Sequence, residues 1–228
     1  MIQALIFDFD GLIIETEKPI FQSWQEIYRS YGCELPFSSW LTIIGTANDY
    51  FDPFIELERQ LGARVDHKAI ERLRKPREKT LTNAQPILPG VMDYLSQGRR
   101  LALKLGIASS STRNWVEGHL SRRGLRPWFD CVRVKEDVQS TKPAPDLYLS
   151  VLDAFGLCGD QAIALEDSPH GVQAAKAAGM FCVAVPTDMT RCLSFDGAHV
   201  LLNSLADLPL EALIVRLETS RRKEYNQP

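Results

Sequence analysis

The sequence predicts an α/β fold, a parallel sheet with helices on both faces, interrupted by an all-helical insertion. Three observations carry this. Short apolar runs of strand length alternate with helical stripes from residue 86 onward. The runs are apolar at successive positions, as strands covered on both faces are. Residues 16–85 break the alternation, with helical periodicity and no convincing strand.

The first run, Ile2, Ala4, Leu5, Ile6 and Phe7, ends in Asp8-Phe9-Asp10-Gly11. Alternation along a strand sends Asp8 and Asp10 to one side. Gly11 lets the backbone turn out of the sheet. Two carboxylates at a buried strand end repel each other and lose hydration, and a divalent cation such as Mg²⁺ offsets both costs. Taken alone, the pair equally fits a solvated acidic turn.

Residues 17–32 carry one helical stripe, Ile20, Phe21, Trp24, Ile27, Tyr28 and Tyr31, stopped at Gly32. Ser38 or Ser39 is placed to cap a short helix through Ile44, ending at Gly45. Residues 48–61 read as helix, with Pro53 near the start. Asp66 caps a further helix towards Asn83 that Pro76 is expected to bend or break. The basic cluster Arg72, Arg74, Lys75, Arg77 and Lys79, interrupted by Glu71 and Glu78, reads as a solvated helix face.

Beyond residue 86, helices are expected at 90–98, 111–124, 145–156 and 169–179. Strands are expected at 101–108, 129–134, 162–165, 181–185 and 199–202. In such sheets ligands gather outside the carboxyl ends of the strands. Four groups of polar residues stand there: Asp8 and Asp10; Ser109, Ser110 and Ser111; Lys142 between Thr141 and Pro143; and Glu166-Asp167-Ser168. Hydroxyls and turn amides seat phosphate oxygens. A lysine on a proline-stiffened loop neutralises phosphate charge, and an acid pair can complete a metal's coordination. Each element has a bland alternative: a helix cap, a surface lysine, an acidic helix start. His170 reads as a loop residue rather than a ligand, and the Trp115 and Tyr148 stripes read as apolar faces.

Composition narrows the partners. The chain has 228 residues, 45% hydrophobic and 24% charged, with a net charge of −3, which gives no reason to expect nucleic acid or an anionic membrane. Cys33, Cys131, Cys158, Cys182 and Cys192 show no CxxC spacing and read as reduced, mostly buried side chains, suiting a cytoplasmic protein. No signal peptide or membrane span is evident. Residues 220–228 are polar and expected to fray. A monomer is the default expectation.

In order, DFDGLIIETE, ASSS, TKPAPDLYL and ALEDSPHGVQAAKAAGM resemble the haloacid dehalogenase-like hydrolase superfamily, in the branch of β-phosphoglucomutase and related sugar-phosphate phosphatases. The resemblance covers nearly the whole chain. It implies a Rossmann-like core at residues 1–15 and 86–228, with a helical cap at 16–85. It also implies Asp8 as nucleophile and Asp10 as general acid–base, with Ser109, Ser110 and Lys142 on the phosphoryl group. Mg²⁺ would be held by Asp8, the Asp10 backbone carbonyl, Asp167 and, directly or through water, Glu166. Glu17, Thr46 and Asn48 are the cap residues expected to face a small phosphorylated metabolite.

The chain departs from the branch at Glu15, where Asp is usual. It also departs at Ile20 and at Ile44-Gly45 and Asn48, where the mutase carries a histidine and a Lys-Gly-x-x-Arg signature. An aliphatic side chain cannot transfer a proton, and the cationic anchors for a second phosphate are missing. The expectation is therefore an Mg²⁺-dependent phosphatase, with a phosphosugar mutase or a non-catalytic phosphate-binding module as alternatives.

Overall fold

The computed structural model describes residues 1–45 and 51–225. Six parallel strands form one sheet in the order β3-β2-β1-β4-β5-β6. β1 (Ala4–Phe7) is central and buried throughout. β2 (Lys104–Ala108) and β4 (Ala162–Glu166) flank it. β3 (Cys131–Arg133) forms one edge; β5 (Phe181–Ala184) and β6 (Val200–Leu201) extend the other side.

Alternate residues of β1 feed two cores, which is why the strand reads as an unbroken apolar run. Leu5 and Phe7 pack on one face with α5 (Val91–Arg100), α6 (Arg113–Arg122) and α9 (Leu210–Tyr225). Ala4 and Ile6 pack on the other with α7 (Asp146–Phe155) and α8 (Pro169–Ala177).

Phe7 pairs with Ile107 on one side and Leu165 on the other, so Asp8, Ala108 and Glu166 follow at one level. The chain steps outward from β1 through β2 and β3, then crosses back to β4 on the far side of β1. That reversal opens a crevice at the strand ends beside Asp8.

Between β1 and α5 stand α1 (Glu17–Ser30), α2 (Phe37–Leu41), α3 (Pro53–Leu61) and α4 (His67–Asn83). They bury their own cluster, including Phe21, Trp24, Tyr28, Trp40, Leu57 and Ile70, and Met189 joins it from beyond the fifth strand.

Several local expectations are corrected. α4 runs unbroken through Pro76. The proline removes one intrahelical donor, but packing against α1 holds the helix. Arg74 is part of that packing rather than a solvated residue. It is buried, pairs with Glu71 and Glu78, donates to Ser23 at 3.2 Å and lies 4.4 Å over the Trp24 ring. Ser38 and Ser39 fall inside α2, which starts after an extended Pro36. α3 begins only at Pro53, capped by Asp52, and the expected start at Asn48 lies outside the described residues. The second strand is shorter than expected because residues 101–103 form a turn, with Ala102 at φ 55°. His170 sits in the first turn of α8, and α9 runs from Leu210 to Tyr225. Cys131 and Cys182 are buried, but Cys158 and Cys192 are exposed; all five are free. Among the described residues no helix is long and apolar enough to cross a membrane.

Candidate active site

Asp8 leaves β1 with its amide still bonded to the Leu165 carbonyl at 2.9 Å, so sheet pairing fixes its backbone. At the end of β4, Glu166 and Asp167 are both buried. Asp8, Glu166 and Asp167 each present a carboxylate oxygen within 4.8 Å of the others. Gly11, at φ 81°, makes this approach possible, because a Cβ there would run into the Asp167 carboxylate.

Lys142 is fully buried and donates to Asp8, while its Nζ stands 2.7 Å from Glu166 Oε1. Glu166 also accepts from the Tyr148 hydroxyl and from Ser168 Oγ at 3.4 Å. The lysine lies 5.2 Å from the Tyr148 ring centroid. Glu166 is thus engaged by the lysine, Tyr148 and Ser168 together.

One lysine does not balance three carboxylates. Burial pushes Asp8 well above the usual carboxyl range; Lys142 opposes this, and Glu166 and Asp10 add to it. Burial likewise raises Asp167, with Asp8 and Glu166 adding. Burial disfavours the Lys142 charge, but Asp8 and Glu166 outweigh it and hold the ammonium above its ordinary value. Asp167 Oδ2 is buried with no hydrogen-bond partner. A hard divalent cation fits this donor set: it answers the surplus negative charge and takes the orphaned oxygen.

Asp10 turns its carboxylate to protein donors. Oδ1 accepts from Thr16 Oγ1 at 2.7 Å and Trp115 Nε1 at 2.8 Å, and Oδ2 from Ser111 Oγ at 2.6 Å. In the serine loop, Ser109 follows β2 and its amide bonds the Arg133 carbonyl at 3.0 Å. Its Oγ accepts from the Ser111 amide at 3.1 Å. Thr112, not a serine, is the N-cap residue of α6. Ser110 Oγ donates to the Gly45 carbonyl at 3.3 Å, and His170 Nδ1 meets the Ile44 carbonyl at 3.0 Å. Ile44 and Gly45, just after α2, therefore meet the first turn of α8 and the serine loop. Burial raises Glu17 well above its usual value, with Asp10, Glu15 and Asp8 adding. Thr46 and Asn48 lie outside the described residues. Glu15 accepts from the Lys18 amide at 3.1 Å, serving the first turn of α1 that Thr16, committed to Asp10, leaves uncapped.

Sequence reasoning places Trp115 and Tyr148 on apolar faces, counts Ser111 among the serines that could seat a phosphate oxygen rather than as a donor to Asp10, and gives Thr16 no role at the site. The available signal was that buried Trp and Tyr need a partner for their polar tips. Both stand in the first turn of a helix that follows a candidate loop.

An acidic centre at the carboxyl end of a central parallel strand, bridged by a buried lysine and lying near a serine-rich turn, is the candidate phosphoryl-handling site of this Rossmann-like core. The family model of haloacid dehalogenase-like hydrolases matches residues 5–185, and the chain belongs to that family. It is similar to YhcW of Bacillus subtilis (strain 168), 42% identical over 219 residues, covering 96% of this chain and 99% of that protein. It is also similar to the fructose-1-phosphate phosphatase YqaB of Escherichia coli (strain K12), 33% identical over 185 residues, covering 80% and 95%. Among solved structures, a variant of CbbY from Rhodobacter sphaeroides in complex with xylulose-(1,5)bisphosphate aligns with a TM-score of 0.77 and 28% identity, covering 93% and 99%. The chain is a phosphatase of the haloacid dehalogenase-like type.

Proposed function

We propose that this phosphatase hydrolyses a small sugar phosphate or similar phosphate monoester through an aspartyl phosphate on Asp8. A carboxylate oxygen of Asp8 bonds to phosphorus as the ester P–O bond breaks, and Asp10 delivers its proton to the leaving oxygen. Water then attacks the phosphoaspartate, Asp10 takes the water's proton, and Asp8 and inorganic phosphate are released. Ser109 and Lys142 hold the phosphoryl oxygens, and Glu166 with Tyr148 holds Lys142.

Asp8, Asp167 and the Asp10 carbonyl would hold Mg²⁺, which when bound screens the anionic nucleophile from the anionic ester. Residues 16–85 act as a cap, as the contacts of Ile44 and Gly45 with His170 and Ser110 support. The sugar-phosphate class rests on the names of YqaB and the CbbY complex. Hydrolysis is favoured over phosphate transfer within a sugar because Ile20 and Ile44 belong to the apolar cluster of the helices and offer no proton or phosphate anchor.

The observation that carries the reading is the buried Asp8 carboxylate, bonded to Lys142 and crowded by Asp167. The test is a screen of sugar phosphates for released phosphate, with Mg²⁺ present. Wild type is expected to release phosphate steadily, and Asp8→Asn to release none while still unfolding in one cooperative transition. Phosphate release that survives Asp8→Asn would remove Asp8 from its role.

A further inference from the structure

We propose that Trp115 is a positioning residue for Asp10, and that α6 ties Asp10 to the connection leaving the helical region. The proposal rests on the acid–base role given to Asp10 above.

The three donors on Asp10 are not equivalent. Thr16 and Ser111 are hydroxyls that can rotate and can also accept. The Trp115 indole N–H is donor only and points in one fixed direction. It occupies Asp10 Oδ1 at 2.8 Å. Thr16 Oγ1 donates to the same oxygen at 2.7 Å. Ser111 Oγ donates to Oδ2, 2.6 Å away. Trp115 thus fixes the direction of one carboxylate oxygen and holds the plane of the group that must meet the leaving oxygen.

The indole is itself held. Its ring meets His119 edge-on at 4.5 Å, and His119 lies 6.1 Å from Phe9, the residue before Asp10. His119 Nδ1 pairs with Arg123 Nη1 at 2.9 Å. Arg123 Nη2 donates to the carbonyls of Thr82 at 3.1 Å, Asn83 at 3.4 Å and Gln85 at 3.0 Å. These carbonyls close α4 and start the return to the core; helix-end carbonyls lack intrahelical partners, and Arg123 supplies one. Trp115, His119 and Arg123 are spaced by four, so they form a single stripe along α6. Trp115 and His119 also line, with Thr82 and Asn83, a cleft of about 420 Å³ between α6 and α4. A shift at the end of α4 therefore reaches Asp10 through one row of side chains.

The test uses leaving-group dependence, which loss of general packing does not change. A sugar alkoxide needs a proton to leave; p-nitrophenolate does not. kcat/KM reports only the steps up to transfer onto Asp8. Trp115→Phe keeps a ring on His119 and deletes the N–H. With Mg²⁺ present and thermal unfolding unchanged, it is expected to lower kcat/KM about tenfold for fructose 1-phosphate, or for the best sugar phosphate of the screen. The loss on p-nitrophenyl phosphate is expected to be several-fold smaller. Arg123→Gln is expected to show the same asymmetry, and the double variant to be no worse than Trp115→Phe alone. No loss, or equal losses on the two esters, in Trp115→Phe overturns the positioning role. Losses that multiply in the double variant overturn the link through α6. Asp10→Ala separates the two levels: full activity on the sugar phosphate would overturn the acid–base reading and this inference together. A normal Trp115→Phe beside an inactive Asp10→Ala overturns this inference alone.

Discussion

Lys142 Nζ lies 2.7 Å from Glu166 Oε1, both residues fully buried, and the same ammonium is bonded to Asp8. The lysine therefore balances buried charge, and in the proposed mechanism it also holds the phosphoryl group. Lys142→Met keeps most of the volume and deletes the charge, leaving crowded carboxylates without compensation. It is expected to cost about 3–5 kcal/mol of stability, read by urea unfolding, and to lower turnover about 100- to 1,000-fold. Unchanged turnover would mean that Lys142 does no more than balance charge.

Asp167 carries the orphaned buried oxygen. A ligand that binds only the folded state raises the unfolding temperature. Mg²⁺ is expected to raise it in wild type, and Asp167→Asn to remove most of that rise. Chelation is expected to stop turnover, and added Mg²⁺ to restore it. An equal thermal shift in the variant would place the ion elsewhere.

His119 gives a pH dependence with a definite sign. Burial, then Arg123, lowers its pKa from 6.5 to about 4, because the ring is held neutral with Nδ1 towards a guanidinium. A depressed folded-state pKa means that this contribution is complete above pH 6.5 and is lost as pH falls towards 4. The raised carboxyls Asp8 and Asp167 act in the opposite sense, so the difference between wild type and His119→Gln isolates the histidine. Between pH 7.5 and 5 wild type is expected to lose about 1–2 kcal/mol more than the variant, measured by urea unfolding at the two pH values. Equal losses would contradict the neutral assignment.

Gly171 lies where a Cβ would fall on the Glu166 carboxylate. Gly171→Ala must displace Glu166 from Lys142 and Tyr148, and is expected to cost about 1–3 kcal/mol together with turnover. Gly118 in α6 has nothing within 4 Å of an added Cβ. Gly118→Ala is expected to stabilise the protein by up to about 1 kcal/mol. Thermal unfolding of the two variants is the comparison; similar small effects would show that the Glu166 network yields easily.

The sequence by itself determined the alternation of strand and helix, the helical interruption, and the polar residues at the strand ends. The reason is local: strands buried on both faces must be apolar at every position, and polar residues that end such runs have nowhere to go but the rim of the sheet. The fold class follows from that ordering, and the phosphatase expectation from the family resemblance that those strand-end residues carry. Only the tertiary structure decided the partners. Glu166 is engaged with Lys142 and Tyr148, 24 and 18 residues away. Asp10 is held by Ser111 and Trp115, 101 and 105 residues on. Arg74 is buried although it sits in a basic run, and Pro76 is carried inside a helix. Sequence periodicity tells which face a side chain takes. It does not tell which atom its polar tip will reach, because that depends on how distant elements pack and on the rotamers their packing leaves open.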